Sequence, residues 1–265
     1  MSFERLGVIG GGAWGTALAQ VGASGGREVL LWAREPEVVE AVNAEHENRV
    51  FLPGHRLDTA VRATGELADL AECNAWLVVT PAQHMRSVLE AAPRCDRPLI
   101  LCSKGIEERS GSMLHHAAAE ACPGAAIAVL SGPTFAHEVA AGLPTAVTLA
   151  AEDQQLAEAL RDRIALQTFR IYLSDDVAGA EIGGAVKNVL AIACGVVDGR
   201  GLGQNARAAL IARGFAEMTR FGLAYGARRA PDAAAVVRRS HRVARLAHLR
   251  HPLAVAARDA YLRLR

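Results

Sequence analysis

Lysine is almost missing from this 265-residue sequence. Of its 29 lysines and arginines, only Lys104 and Lys187 are lysines. Arginine stays protonated in proteins, whereas lysine can lose its proton when its surroundings favour the neutral amine. Lys187 stands in an apolar stretch with helical periodicity, where the ordinary interpretation is a lysine that extends to solvent along its own stem. The scarcity of lysine favours the other interpretation, which is a general acid or base.

Paired cysteines, long apolar runs and an excess of one charge are also missing. The five cysteines form no CxxC pair, which predicts reduced thiols, a cytoplasmic location and no zinc site. No apolar run is expected to reach the roughly 18–20 residues of a membrane-spanning helix. Met1 to Gly12 has the pattern of a strand and its turn rather than of a signal segment. A net charge of +1 predicts neither a nucleic-acid nor a membrane partner.

The strongest motif that is present is a glycine fingerprint, GxGxxG, at Gly10, Gly12 and Gly15. It follows a short apolar strand, opens an apolar helix, and is followed by a second strand at 28–32. The first glycine allows a tight turn, the second lets the backbone approach a pyrophosphate, and the third lets the helix pack on the strand. The helix N-terminus then faces the phosphates. This context predicts a dinucleotide site.

Arg34 follows the second strand, at the position that usually decides between the two nicotinamide cofactors. An NAD-specific site commonly places an acidic residue there, to hold the ribose 2′-hydroxyl. A guanidinium can instead pair with the 2′-phosphate of NADP. A solvated loop arginine is the alternative interpretation. The position favours binding that tolerates NADP over strict NAD binding.

The rest of the first part alternates between strand and helix patterns. Strands are expected at 75–80, 98–102, 127–130, 145–150 and 169–173, and helices at 36–45 and 153–166. Residues 48–64 have the pattern of an irregular excursion. Pro81, Lys104 and Gly132 each follow the end of a strand. Because ligands bind beyond the carboxyl ends of parallel strands, these ends predict one common site.

The predicted fold class is α/β, with a Rossmann-type doubly wound sheet followed by a truncated all-helical C-terminal domain. The sheet domain is expected at 1–176 and the start of the helical domain at 177–227. Two apolar patterns between Ala180 and Ala227 predict buried helices, with Lys187 facing the cofactor cleft. Residues 228–265 form an atypical tail.

The chain resembles the bacterial NAD(P)-dependent glycerol-3-phosphate dehydrogenases over residues 5–227. The motifs that carry the resemblance are GGGAWGTALA from Gly10, CSKGIE from Cys102, SGPTFAHEVAAGLPTA from Ser131, EIGGAVKNVLAIA from Glu181 and NARAALIARGFAEMTRFG from Asn205. The resemblance implies a cytoplasmic homodimer that uses NADP or NAD. It also implies reduction of dihydroxyacetone phosphate to sn-glycerol 3-phosphate, which feeds phospholipid synthesis.

The resemblance also implies roles for individual residues. Lys187 would exchange the proton with the substrate carbonyl oxygen, Asn188 would hydrogen-bond near it, and Lys104 would polarise the developing alkoxide. The expected substrate contacts are Lys104, Gly132, Thr134 and Lys187. The expected cofactor contacts are Gly10, Gly12, Ala13, Trp14, Gly15, Arg34, Pro81, Lys104 and Ala136. Ala13 replaces a serine of the family, a change that a largely backbone contact tolerates.

The resemblance ends after Ala227. Two family segments, one that supports the catalytic lysine and one that binds the substrate phosphate, have no counterpart. Residues 228–265 instead contain ten arginines and three histidines but no glycine, lysine or glutamate. The favoured interpretation is a reading frame shifted in GC-rich DNA. The alternatives are a basic arm that binds nucleic acid or anionic lipid, and a divergent helical end.

This departure has consequences for stability and activity. Residues 189–211 are expected to lack packing partners and to expose apolar surface. Loss of the phosphate-binding segment is expected to weaken substrate binding, with Arg207 as a partial substitute. The alternative function is therefore a catalytically inactive remnant that still binds NADP(H). A hydroxy-acid dehydrogenase with a related fold is a weaker alternative.

Overall fold

The computed structural model describes residues 4–93 and 96–228. The strands are β1 Arg5–Ile9, β2 Glu28–Trp32, β3 Glu47–Asn48, β4 Leu52–Arg56, β5 Val61–Thr64, β6 Ala75–Val78, β7 Leu99–Leu101, β8 Ile127–Ser131, β9 Thr145–Ala151 and β10 Phe169–Ser174. The helices are α1 Ala13–Ser24, α2 Pro36–Glu45, α3 Ala82–Ala91, α4 Leu114–Ala121, α5 Ala136–Ala140, α6 Gln154–Ile164, α7 Val177–Gly199 and α8 Gly203–Ala224, with a 3-10 helix at Leu67–Glu72.

Eight of the strands form one sheet in the order β10-β9-β8-β7-β6-β1-β2-β5. From β5 to β8 all neighbours are parallel, and helices connect them across both faces. The chain runs outward from β1 in one direction and then returns to start again on the other side of it. This is the Rossmann-type doubly wound arrangement that the alternating pattern predicts.

The sheet departs from the parallel arrangement at one edge. Strand β9 pairs with β8 antiparallel, and β10 then pairs parallel with β9. The short helix α5 lies between β8 and β9, so the chain turns back without a full crossover. Apolar runs of this length do not encode strand direction, so the pattern could not distinguish the two arrangements.

The prediction of an irregular excursion at 48–64 is also wrong. The segment forms an antiparallel pair, β3 with β4, and then β5, which completes the edge of the main sheet beside β2. Pro53 and Gly54 lie inside β4, where they obscure the strand pattern. The pair β3–β4 places Asn48 in the interior next to the glycine fingerprint.

Two apolar cores cover the two faces of the sheet. One core packs α1 and α6 against residues such as Leu6, Val8 and Leu31. The other packs α3 and α4 against Ile9 and Trp76. Parallel strands covered on both faces read as continuous apolar runs, which is why the sequence predicts most strand positions to within a few residues.

Helices α7 and α8 pack side by side beyond the sheet, joined through a small third core of Met113, Ile182 and Met218. The prediction that both are buried is wrong for most of their length. Val189 is 66% exposed and Ile192 is 70% exposed. Exposed apolar surface at 189–211 is as expected. Apolar periodicity identifies a helix but does not say whether a partner covers it.

Helix α7 also departs from the expectation about membrane-spanning length. Among the described residues it is the one helix that is long and apolar enough to cross a membrane. Length and composition alone are weak evidence, because core helices of water-soluble proteins have the same properties. The predicted absence of a membrane span therefore remains an expectation.

Residues 94–95 and 229–265, which include Cys95 and nearly all of the tail for which a shifted reading frame is the favoured interpretation, lie outside the described residues. The four cysteines in the described ranges are free. The boundary near Asp176 falls between β10 and α7, where the Asp176 side chain accepts a hydrogen bond from the Gly179 amide and caps the helix. The division into domains at this residue remains a prediction.

Candidate active site

The glycine fingerprint forms a tight turn between β1 and α1. Gly10 has a φ of +123°, and its amide donates to the Trp32 carbonyl of β2 at 3.0 Å. A side-chain carbon added at Gly15 would lie 1.9 Å from the Gly10 carbonyl oxygen, so only glycine fits there. One added at Gly12 would meet no atom within 4 Å. The exposed backbone at Gly12 therefore borders an open space at the start of α1, as a pyrophosphate site requires.

Two buried polar atoms beside this turn have no hydrogen-bond partner among the described residues. They are Nε1 of Trp14, in the first turn of α1, and Oγ1 of Thr80, just after β6. Buried polar groups normally have partners, so unpaired ones beside this turn indicate that a ligand or water binds there. The glycine cradle and these atoms fit a bound dinucleotide.

A hydrogen bond joins the residues that follow β6 and β7, next to the glycine turn. The Ser103 hydroxyl donates to the Thr80 carbonyl oxygen at 2.5 Å. Pro81 then precedes α3 as its N-cap residue, and Lys104 follows Ser103. Strand ends that lie side by side in a parallel sheet open onto the same edge. Pro81 therefore follows the residue that packs on Gly10, and Lys104 lies one strand further along the same edge.

Lys104 extends from β7 toward the strand end of β8 and toward helix α7. Its Nζ lies 3.5 Å from the Gly132 carbonyl oxygen, to which it donates. A side-chain carbon at Gly184 would touch the Ser131 hydroxyl at 3.0 Å and the Lys104 stem at 3.4 Å. The glycine lets α7 cross closely over Lys104. Lys187 lies one helical turn further along α7.

The two lysines interact electrostatically. Burial lowers the pKa of Lys104, and the positive charge of Lys187 lowers it further. Both effects disfavour the protonated amine: burial removes its hydration, and a like charge repels it. The two lysines, which are far apart in sequence, are therefore close enough in the fold to interact.

Other predicted site residues have side chains that are partly or fully exposed. Arg34 has a side chain that is 79% exposed and pairs with Glu35 at 3.2 Å, so it lies at the rim. Ala13, Trp14 and Ala136 pack on the edge of the first core. Thr134 is half-buried beside the exposed Phe135, and Asn188 is exposed on α7.

Arg207 pairs with an acidic residue of the neighbouring helix. Its Nε lies 3.2 Å from Oδ2 of Asp198, near the end of α7. The described residues also contain no group of three or more metal-ligating side chains. The groups that this edge offers include two amines, hydroxyls, backbone groups and a helix N-terminus.

The sequence did not indicate a set of hydrogen bonds, here called the clamp, that holds the loop carrying Lys104 against α3. Arg86 of α3 binds Glu107 through two bonds, of 2.7 and 2.8 Å, and Ser110 donates to the same carboxylate. These hydrogen bonds lower the pKa of Glu107 to about 2. Gln83 donates to the Ile106 carbonyl at 2.9 Å. Glu107 stands in the CSKGIE motif, but nothing in the sequence indicates its partner in α3.

A second missed contact joins α7 to the sheet domain. The buried Glu181 carboxylate accepts the His115 amide at 2.9 Å and lies 2.5 Å from the His115 ring Nδ1. The amide belongs to the first turn of α4, which begins after Met113 without a side-chain cap of its own. A carboxylate at a helix N-terminus is favoured by the dipole and the free amides. Glu181 therefore links α7, which carries Lys187, to α4.

Two models of one protein family match this chain. The model of the NAD-dependent glycerol-3-phosphate dehydrogenase N-terminus matches residues 5–157, and that of the C-terminus matches residues 176–243. The chain belongs to this family.

Relatives in this dehydrogenase family are close in sequence. A glycerol-3-phosphate dehydrogenase [NAD(P)+] of Erythrobacter litoralis is 66% identical over 223 residues, which cover 84% of this chain and 68% of the relative. One of Caulobacter vibrioides is 59% identical over 231 residues, or 86% of this chain and 70% of the relative. The matched region thus spans about two thirds of these dehydrogenases.

Solved structures of the same family have the same fold. The crystal structure of glycerol-3-phosphate dehydrogenase from Coxiella burnetii matches with a TM-score of 0.80 and 38% identity, covering 85% of this chain and 70% of that one. The structure from Plasmodium falciparum matches with a TM-score of 0.77 and 27% identity, covering 82% and 65%. The Rossmann-type sheet and the helices after it are therefore a family property.

Proposed function

We propose that this chain transfers hydride between NADPH or NADH and dihydroxyacetone phosphate, giving sn-glycerol 3-phosphate for glycerophospholipid synthesis. The observation that carries the proposal is that Gly184 lets α7 cross closely over Lys104, which brings Lys187 near enough to lower the pKa of Lys104. Membership of the dehydrogenase family supplies the reaction class. The relatives are named glycerol-3-phosphate dehydrogenase [NAD(P)+], which does not support the alternative of an inactive remnant.

The cofactor site is proposed at the carboxyl edge of the sheet. The amides at the start of α1 and the backbone of Gly10 and Gly12 would hold the pyrophosphate. Ala13, Trp14, Pro81 and Ala136 would border it, and Arg34 at the rim would contact the adenosine end. The exposure of Arg34 leaves its guanidinium able to turn toward a 2′-phosphate, which supports NADP as well as NAD.

When bound, the reduced nicotinamide supplies the hydride to the substrate carbonyl carbon. Lys187 would donate its ammonium proton to the carbonyl oxygen and become a neutral amine, which solvent protonates again. Lys104, held against the Gly132 carbonyl, would stabilise charge that develops on the oxygen. Asn188, Gly132 and Thr134 would orient the substrate.

The proposal extends to assembly and location. A division into a sheet domain at 1–176 and a helical part from 177 onward would put the cofactor in the first unit and the proton donor in the second. Free buried cysteines fit a reducing cytoplasm. A homodimer would cover exposed apolar surface on α7 and α8.

The test is the loss of reduced nicotinamide absorbance when the full chain is mixed with NADPH or NADH and dihydroxyacetone phosphate. Turnover is expected, with a loss of about a thousandfold in Lys187→Met. The matched control is Arg213→Met, which removes an exposed cation of α8 that pairs only with Glu217 among the described residues. Soluble wild-type protein that binds cofactor without turnover would overturn the proposal and favour the remnant.

A further inference from the structure

The segment between α2 and β5 inserts one polar side chain into the back of the glycine turn. Asn48, in β3, is completely buried. Its Nδ2 donates to the Gly11 carbonyl oxygen and to the Thr16 hydroxyl, both at 2.7 Å, and its Oδ1 accepts the Phe51 amide at 3.1 Å. The side chain thus joins the β3–β4 pair to the fingerprint loop.

The contact with Gly11 controls the direction of a peptide group. Peptide groups are planar and trans, so the Gly11 carbonyl and the Gly12 N–H point in opposite directions. Asn48 holds that carbonyl toward the protein interior. The Gly12 N–H must then point away from the interior. A side-chain carbon added at the Gly12 Cα would meet no atom within 4 Å, so the space beside this N–H is open. This is the side on which a pyrophosphate would lie.

The Gly11–Gly12 peptide needs the restraint that Asn48 provides, because glycine stands on both sides of it. Gly11 and Gly12 each have a wide range of backbone angles, so the peptide between them can rotate at little steric cost. An amide that contributes to anion binding must be held in place before the ligand arrives, or part of the binding energy is spent on ordering it. The Thr16 hydroxyl, 3.4 Å from the same carbonyl oxygen, adds a second donor.

We infer that Asn48 is a positioning residue for cofactor binding, which orients the Gly11–Gly12 peptide so that its N–H faces the pyrophosphate. The inference rests on the proposed function for the presence of a dinucleotide. It adds a residue, and a segment outside the glycine fingerprint, to the machinery of the site. It also gives the short β3–β4 pair a role in binding.

The test measures the affinity of the full chain for NADPH by the fluorescence of the bound nicotinamide. Asn48→Ala is expected to weaken NADPH binding by about tenfold, the order of one charge-assisted contact. Binding of adenosine 2′-phosphate, which lacks the pyrophosphate, is expected to change less than twofold. A general loss of structure would weaken both ligands equally, so equal weakening would overturn the inference.

Asn43 provides the matched control. Its side chain makes two hydrogen bonds to the Ala63 backbone, each of 2.9 Å, and so joins α2 to β5 without touching the glycine turn. Asn43→Ala is expected to leave both affinities within twofold of wild type. Equal effects of the two alanine variants on NADPH binding would overturn the inference.

A second variant covers the case in which Asn48→Ala does not fold. Asn48→Asp has the same shape and still accepts the Phe51 amide, but in its ionised form it cannot donate to the Gly11 carbonyl. Unchanged NADPH affinity in this variant would overturn the inference, and at least tenfold weakening would support it. Wild-type protein that binds no NADPH would instead overturn the proposed function and, with it, the basis of the inference.

Discussion

At the scale of single residues, the two lysines are the most informative feature of this chain. Their scarcity allows each to be observed separately. Reductive methylation with a carbon-13 label would produce signals from only Lys104, Lys187 and the N-terminal amine. The pH dependence of these signals reports the ionisation of each amine within the folded protein.

We expect Lys104 to titrate below its ordinary value of 10.5, because burial and the charge of Lys187 both lower its pKa. In Lys187→Met the midpoint should rise, but only in part, because burial is the larger cause and remains. Arg213→Met, which removes an exposed charge on α8, should leave the midpoint unchanged. A midpoint that does not respond to Lys187→Met would mean that the two amines are not neighbours.

The glycine turn offers a second contrast between residues of one type. Gly15→Ala should destabilise the fold by about 3 kcal/mol or more, because the new carbon would overlap the Gly10 carbonyl oxygen. Gly12→Ala should leave stability within about 0.5 kcal/mol, since its φ of −68° suits alanine and the space is open. Urea unfolding compares the two variants. Similar losses in both would contradict the geometry of the turn.

At the scale of elements, the loop that carries Lys104 depends on the clamp from α3. The pKa of Glu107 is lowered from 4.5 to about 2, chiefly by its hydrogen bonds with Arg86 and then by Ser110. A carboxyl whose pKa is lower in the folded state contributes stability that is complete above its unfolded pKa. That contribution is lost as the pH falls toward the folded value.

Glu107→Gln should therefore destabilise the protein at pH 7, and the difference from wild type should shrink as the pH falls from about 4.5 toward 2. The matched control is Glu120→Gln. Glu120 binds the same arginine at 2.8 Å, but its side chain is 63% exposed, so a much smaller effect is expected. Urea unfolding across this pH range measures both. A constant difference at all pH values would argue against the clamp.

The contact between α7 and α4 makes its own prediction. Glu181→Ala removes the acceptor for the partly buried His115 amide and should cost about 2 kcal/mol. Because the Glu181 carboxylate joins α7 to α4, amides of α7 should exchange hydrogen faster in this variant, while β1 and β6 remain protected. Glu217→Ala, on the exposed face of α8, should leave the exchange unchanged. Accelerated exchange throughout the sheet would indicate general destabilisation instead.

At the scale of the whole molecule, the apolar surface of the sheet is covered, whereas much of the apolar surface of α7 is exposed. The sheet has helices on both faces, whereas Val189, Ile192 and Val196 form an exposed apolar stripe on α7. Apolar surface of this kind promotes association.

Ile192→Glu should reduce self-association without lowering stability, because the side chain is 70% exposed. Ile182→Glu should instead disrupt folding, since Ile182 is 2% exposed in the small core shared with α8. Light scattering and thermal unfolding separate these outcomes. A large loss of stability in Ile192→Glu would show that the stripe is covered within the folded chain.

The sequence by itself determined much of this protein. Local rules suffice for the glycine turn after β1, for most strands and helices, and for the position of the motifs at strand ends, because periodicity and turn chemistry act over a few residues. The scarcity of lysine is enough to single out Lys104 and Lys187, and the combination of motifs is enough to identify the dehydrogenase family.

Only the tertiary structure decided which distant residues meet. The antiparallel direction of β9, the edge strand β5 and the exposure of α7 depend on packing partners that short patterns do not specify. Asn48 against Gly11 and Glu181 against His115 are pairs separated by 37 and 66 residues. Their bonds exist because the fold brings the groups together and buries them, where an unpaired polar group would be costly.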